Sequence, residues 1–105
     1  MNAVLIYCTT NSEANAREIG KKLIEERLVA CINIVKGMQS IYRWEDTIHE
    51  DTETVFIAKT REELVDMVTE RIKILHPYSC PCIVALPITG GNSDFLNWIY
   101  EETGN

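Results

Sequence analysis

Residues 28–59 read LVACINIVKGMQSIYRWEDTIHEDTETVFIAK and predict a long β-hairpin at the centre of the fold. The apolar run of residues 28–35 is rich in Val and Ile, which is typical of a central strand. Gly37 interrupts this run and residues 38–44 then alternate, so we expect the strand to bend or bulge at Gly37 and to continue. Residues 45–47 are the expected turn, although the Asn-Gly hairpin signal is missing.

A strand and a helix are predicted on each side of this hairpin. Residues 3–8 form a continuous apolar run, which indicates a strand buried on both faces. Apolar residues then recur at helical spacing over residues 16–24, and a second helical stripe covers residues 64–75. Residues 82–87 read as the fourth strand.

Short polar signals mark where the helices begin and end. Thr10 with Glu13 and Thr60 with Glu63 have capping-box spacing, which predicts the starts of the first two helices. Two prolines follow the second helix and stop it, because proline lacks an N–H and forces the preceding residue into an extended conformation. Asn92 or Ser93 caps a short last helix.

The order of the elements predicts an α+β fold with a single domain over residues 1–105. Two βαβ units joined by a hairpin give a ferredoxin-like βαββαβ sandwich, here with a long bent central hairpin and an extra C-terminal helix. Both main helices would cover the same sheet face, yet the strands are apolar throughout. We therefore expect further copies of the chain to cover the open face in a closed ring.

Composition limits the classes of function. The chain has 105 residues, 46% of them hydrophobic and 25% charged, as in an ordinary soluble domain. A net charge of −6 argues against binding to nucleic acid or to an anionic membrane. Neither a signal peptide nor a membrane-spanning run is recognisable, so we expect a cytoplasmic protein whose four cysteines are reduced.

One segment concentrates metal-binding residue types: His76-Pro77-Tyr78-Ser79-Cys80-Pro81-Cys82. In an extended chain the side chains of Cys80 and Cys82 point to the same side. Together with the imidazole of His76, the two thiols could therefore bind a soft or borderline metal. The alternative is structural, because free cysteines often pack as small hydrophobes. We expect Cys31 to lie in the core and His49 to lie at a solvated hairpin tip, with a weak cation site as the alternative for His49.

No catalytic motif is recognisable. The sequence contains no Ser–His–Asp arrangement, no phosphate-binding loop and no HExxH motif. A nucleophile built from His76 and a nearby cysteine would have no identifiable oxyanion hole. The sequence therefore predicts a protein that is not an enzyme.

The whole chain resembles the CutA family of divalent-cation tolerance proteins. The resemblance covers nearly all residues without a large gap, and no single motif carries it alone. It rests on residues 25–28 (EERL), 30–34 (ACINI), Gly37, 40–45 (SIYRWE), 75–78 (LHPY) and 85–92 (ALPITGGN).

The resemblance implies a tightly packed cytoplasmic homotrimer that contributes to tolerance of copper and other divalent ions. It also implies metal ligands at Cys8, His76 and Cys82. Cys82 departs from the family, which usually has Glu there, and Cys80 adds a second unusual thiol. Thiolates are soft and favour Cu(I) or Zn(II), so the expected site is softer than the family norm, unless the replacement removes metal binding altogether. The pairing of the first and fourth strands, and hence the role of Cys8, stays open.

The family is also similar in architecture to the PII signal proteins, which bind effectors between subunits. We expect Tyr42, Trp44, Lys59 and Tyr78 to lie around such a cleft between subunits. Aromatic rings with one cation could hold a small anionic effector, and aromatic packing at the trimer interface is the alternative. The second functional hypothesis is therefore a small-molecule sensor or an interaction scaffold with an unknown protein partner.

Overall fold

The structure, a computed structural model, describes residues 2–104 and has the predicted order of elements. Met1 and Asn105, the ends of the predicted domain, lie outside the described residues. A turn of 3-10 helix, Glu62–Leu64, precedes the second helix. The strands and helices are β1 Ala3–Thr10, α1 Glu13–Glu25, β2 Cys31–Trp44, β3 Thr47–Arg61, α2 Val65–Leu75, β4 Ile83–Pro87 and α3 Ser93–Glu102.

The four strands form one antiparallel sheet in the order β2-β3-β1-β4, which is the ferredoxin-like arrangement. Strand β1 pairs with β3 on one side and with β4 on the other. Cys8 therefore lies opposite Phe56 in β3 and opposite Ile83 in β4. The first and fourth strands, whose adjacency the sequence left open, are direct neighbours.

Helices α1 and α2 pack on one face of the sheet and form the main core with it. Val4, Ile6 and Cys8 of β1 belong to this core because alternate residues of a strand point to the same face. Ile6 is fully buried, and burying a side chain of this size contributes about 1.5–3 kcal/mol. The other fully buried core residues include Ile19, Leu23, Phe56, Val68 and Ile72.

Helix α3 packs against one end of the sheet, where Ile99 contacts Ala3 and Ala30. Arg61 fastens it, because its guanidinium donates to Thr103 Oγ1 and to the Tyr100 carbonyl, each at 2.9 Å. The remaining part of the face opposite α1 and α2 stays open. It exposes Val35 by 50%, Val84 by 48% and Leu86 by 48%.

Both predicted capping boxes are wrong, because the strands run further than expected. Thr10 and Thr60 belong to β1 and β3, and their hydroxyls donate to the carbonyls of Thr54 at 2.9 Å and Leu28 at 2.7 Å. Ser12 caps α1 instead, by accepting from the Asn15 N–H.

The other element ends differ less from prediction. Helix α2 begins through the 3-10 turn without a side-chain cap, and Asn92 caps α3 as one of the two predicted residues. Strand β2 begins later than predicted, at Cys31. The reason is that the Leu28 N–H donates to the Leu23 carbonyl at 3.0 Å, so Leu28 is part of the turn that ends α1 rather than of a strand.

The hairpin has the predicted bend and a tight turn. The register between β2 and β3 shifts between Val35 and Met38, and Gly37 within the shift has a φ of +74°. The turn consists of Glu45 and Asp46, with φ angles of +50° and +63°. Two consecutive left-handed residues give the hairpin turn that matches strand twist, although Glu45 is not one of the residues that favour this conformation and Asp46 stands where Gly is preferred.

Replacing this turn by Glu45→Asn with Asp46→Gly should stabilise the fold by about 1 kcal/mol, because Asn and Gly adopt left-handed geometry with less strain. Chemical denaturation of the variant and the parent measures the difference. Gly37→Ala is the matched control with opposite sign, since it puts a side chain on a left-handed residue. A turn variant less stable than the parent would contradict this account of the turn.

Candidate functional site

His76 is a buried structural bridge between the end of α2 and strand β1. The residue is 7% exposed, and its Nε2 lies 2.8 Å from the Thr9 carbonyl oxygen. Nδ1 accepts the Tyr78 N–H at 3.1 Å, so the proton is on Nε2 and is donated to Thr9. Both ring nitrogens are therefore occupied by the backbone, and neither has a free lone pair directed at a metal.

Tyr78 fastens the same segment to β3. Its ring packs against the His76 ring with centroids 4.6 Å apart, and its hydroxyl donates to Glu53 Oε2 at 2.8 Å. The pKa of Tyr78 is raised, mainly by burial of the phenol and to a lesser extent by its hydrogen bond to Glu53. The chain after α2 is thus held at two points, one on β1 and one on β3.

Cys8 is fully buried in the core beneath this segment. Burial raises the pKa of its thiol to about 12, and the charges of Cys82 and Glu53 contribute further. Cys82 comes directly before Ile83, the residue that pairs with Cys8, so the two thiols lie in the same region. Cys8 stays protonated at neutral pH and is a poor metal ligand in this state.

Cys80 and Cys82 are exposed, and all four cysteines are free thiols. Cys31 is half-buried rather than in the core: it lies on the open sheet face, with Lys59 Nζ 3.8 Å from its sulfur. Strand alternation explains this correction, because Ile32 and Ile34, not Cys31, pack against the core under α1 and α2.

The four predicted metal ligands, Cys8, His76, Cys80 and Cys82, do not form a complete coordination site. Cys8, His76 and Cys82 all lie near the paired ends of β1 and β4. Within residues 2–104, no three His, Cys, Asp or Glu side chains converge in an arrangement that could hold a metal. The four residues therefore do not fit a preformed metal centre within one chain, and only the sulfurs of Cys80 and Cys82 are accessible.

The predicted cleft residues lie in two separate places on one chain. Tyr42 donates to Asp51 and stacks on His49 with centroids 5.5 Å apart, and the Asp51 hydrogen bond raises the pKa of Tyr42. His49 is therefore paired with Tyr42 along the hairpin rather than placed at its tip. Trp44, 46% exposed, lies on the same strand beside the turn.

Lys59 lies further along β3 from this aromatic group. Its ammonium donates to Asn33 Oδ1 at 2.7 Å on the open sheet face. The span from Glu53, the partner of Tyr78, to Lys59 is about 20 Å at the rise of a strand. A cleft that joins all four residues would need a second chain, so this set stays a prediction.

Glu53 is the site residue that sequence reasoning missed. It is 9% exposed and accepts from Tyr78, whereas the sequence suggested only a generally acidic start of the returning strand. The available signal was the two-residue period of β3, which places Glu53 on the same face as buried Val55.

A groove of about 1070 Å³ lies beside β4 and the start of α3. Leu86, Pro87, Leu96 and Tyr100 are among the residues that line it, and none of the predicted metal or cleft residues does. Over residues 2–104, no helix is both long enough and apolar enough to cross a membrane.

These features define a ferredoxin-like α+β protein with two further traits. Its central hairpin overhangs the sheet, because residues 47–53 pair with β2 alone, and the segment 76–82, which bears two thiols, is held by the buried His76. The chain belongs to the CutA1 divalent ion tolerance protein family, which it matches over residues 4–102. The predicted family and fold are thus confirmed.

Individual relatives agree with this assignment. The divalent-cation tolerance protein CutA of Thermus thermophilus is 49% identical over 100 residues, which cover 95% of this chain and 97% of the relative. The solved structure of the Thermus thermophilus protein has a TM-score of 0.95 at 48% identity and covers 97% of this chain and 99% of its own.

Relatives carry names from different compartments. The protein CutA, chloroplastic, of Arabidopsis thaliana is 36% identical over 98% of this chain and 57% of its own length. The solved structure described as the periplasmic divalent cation tolerance protein CutA of Archaeoglobus fulgidus is 41% identical, with a TM-score of 0.92, and covers 95% of this chain and 97% of its own. The family alone therefore does not fix a compartment.

The raised pKa of Cys8 predicts a pH-dependent stability. The folded protein keeps this thiol protonated up to about pH 12, whereas the thiol of the unfolded chain ionises near its ordinary value of 9.0. The free energy of unfolding should therefore be unaffected by Cys8 below pH 9 and fall as the pH rises towards 12.

Denaturation curves at several pH values measure this effect. Cys8→Ala should lose the part of the slope that Cys8 contributes, and the Cys31→Ala control should keep it. Equal slopes in the parent and in Cys8→Ala would contradict the assignment.

Proposed function

We propose that this chain works as a cytoplasmic homotrimer that is not an enzyme, binds copper or another divalent metal ion as its cargo, and thereby contributes to metal-ion tolerance. Cys80 and Cys82 are the proposed ligands. The observation that carries this proposal is that these two thiols alone among the four cysteines are exposed, both on the segment that His76 and Tyr78 hold against the sheet.

The chemistry of the ligands favours soft ions. Thiolates select Cu(I) or Zn(II) over Mg(II) or Mn(II). His76 positions the segment, and direct ligation by His76 would first require the loss of its bond to Thr9 or to Tyr78. Ligation by Cys8 would require ionisation of a buried thiol. Free thiol ligands are maintained in a reducing compartment, which supports the cytoplasm.

Copper binding is tested by titrating the reduced protein with Cu(I) against a colorimetric chelator. The Cys80→Ser, Cys82→Ser double variant should lose the copper that the parent withholds from the chelator, because both accessible sulfurs are gone. Cys31→Ser is the matched control and should bind as the parent does. Equal copper retention in the double variant and the control would refute these ligands.

The surface of the chain supports the trimer. The open sheet face exposes Val35, Val84 and Leu86, and the overhanging hairpin exposes Ile41 by 69% and Ile48 by 63%. By strand alternation Ile41 and Ile48 lie on the other side of the hairpin from Val35, so apolar surface is exposed in two places. Exposed apolar surface of this kind is typical of an interface. A second copy that lies along β4 would also cover its free edge and the adjoining groove.

Leu86→Glu should convert the trimer to monomers, because it places a charge in the proposed contact. Sedimentation velocity at micromolar concentration measures the change. Ile74→Glu is the control: Ile74 is 74% exposed, but it lies on α2, away from the open sheet face, so the variant should remain trimeric. A Leu86→Glu protein that sediments like the parent would rule out this face as the contact.

A further inference from the structure

Cys80 and Cys82 flank Pro81 in the segment between α2 and β4, which belongs to neither helix nor strand. Both side chains are exposed and both thiols are free. An intrachain disulfide forms by exchange when an oxidant reaches one thiol and a second thiol lies near enough to resolve the mixed disulfide. These two residues meet both requirements within three consecutive positions.

We propose that Cys80 and Cys82 form a reversible intrachain disulfide when the protein meets an oxidised low-molecular-weight thiol of the glutathione class. Neither anchor of the segment falls between the two thiols, since His76 and Tyr78 lie before Cys80 and the first ladder residue, Ile83, follows Cys82.

The other two cysteines are unsuitable partners. Cys8 is fully buried and holds its proton firmly, so it neither attacks a disulfide nor admits an oxidant. Cys31 lies on β2, which is the far edge of the sheet from β4. Cys82 therefore has Cys80 as its accessible neighbour.

The exchange balances without any other reactant. The thiolate of one cysteine attacks a sulfur of the glutathione disulfide, a mixed disulfide forms, and one glutathione leaves as a thiolate that takes up a proton. The second cysteine then attacks the protein sulfur of the mixed disulfide and displaces the second glutathione. Two protein thiols are oxidised to one disulfide, and one glutathione disulfide is reduced to two thiols.

Oxidation would also abolish the proposed metal site. A sulfur in a disulfide is no longer a thiolate ligand, so the oxidised protein would release copper. This consequence rests on the proposed function, whereas the disulfide itself does not. A test in metal-free protein therefore separates the two.

The experiment incubates metal-free full-length protein with glutathione disulfide and follows the intact mass and the peptide map. The parent should lose the mass of two hydrogens, acquire a Cys80–Cys82 link that resists alkylation, and return to the dithiol with dithiothreitol. Cys82→Ser should stop at one glutathione attached to Cys80, because no second thiol resolves the mixed disulfide. Cys80→Ser should stop likewise at Cys82.

Cys31→Ser is the control and should form the same link as the parent. The proposal is overturned if the parent accumulates two bound glutathiones without an internal link. It is equally overturned if the link joins two chains, which a non-reducing gel shows, or maps to Cys8. A parent that forms the link but, in its reduced form, withholds no Cu(I) from the chelator would instead count against the proposed function alone.

Discussion

Strand β3 has two neighbours along one half and a single neighbour along the other, and the rest of the architecture depends on this inequality. Residues 55–59 pair with both β1 and β2, whereas residues 47–53 pair with β2 alone. A two-stranded ribbon has little stability of its own in water. The ribbon nevertheless exposes Ile41 and Ile48 on one side, so its apolar surface favours contact with another chain.

The position of His76 is the second constraint, because it gives this residue a structural role and leaves Cys80 and Cys82 as the accessible side chains of the candidate site. The sequence predicted His76 as a ligand because it stands on one segment with two cysteines and matches a metal position implied by the family resemblance. Here the ring is enclosed and joins the Thr9 carbonyl to the Tyr78 N–H. Breaking either bond would leave a buried polar group unsatisfied, at a cost of about 1–3 kcal/mol. The imidazole thus holds the start of the segment in place, and the accessible thiols are those of Cys80 and Cys82, which follow it.

Sequence patterns predicted the elements well because periodicity and proline act locally. The bulge at Gly37, the stop at Pro77 and the cap at Asn92 each follow from one or two residues. The capping boxes failed because Thr10 and Thr60 found acceptors on other strands, at Thr54 and Leu28, and sequence spacing contains no information on such partners.

The site was predicted less well, for the same reason. Burial of Cys8 and exposure of Cys82 depend on which strands are neighbours and on which face each side chain points to, and the sequence left the pairing of β1 with β4 open. Glu53 looked like one of several solvated acids until Tyr78, which lies far along the chain, was brought against it. Tertiary contacts of this kind decide which of these side chains are buried and which are accessible, and no local motif contains that information.

The four cysteines therefore have different chemistry although they are the same residue. Cys8 is buried in the core, Cys31 lies on the edge strand β2 with the ammonium of Lys59 beside its sulfur, and Cys80 and Cys82 are exposed. The property that makes the last two suitable for a soft metal, an accessible thiolate, is the same property that makes them open to oxidation. The proposed metal binding and the proposed disulfide at this segment would be mutually exclusive, because both use the same two sulfurs. A bound soft metal would protect the pair from oxidation, and oxidation would prevent binding, so the two equilibria are necessarily linked.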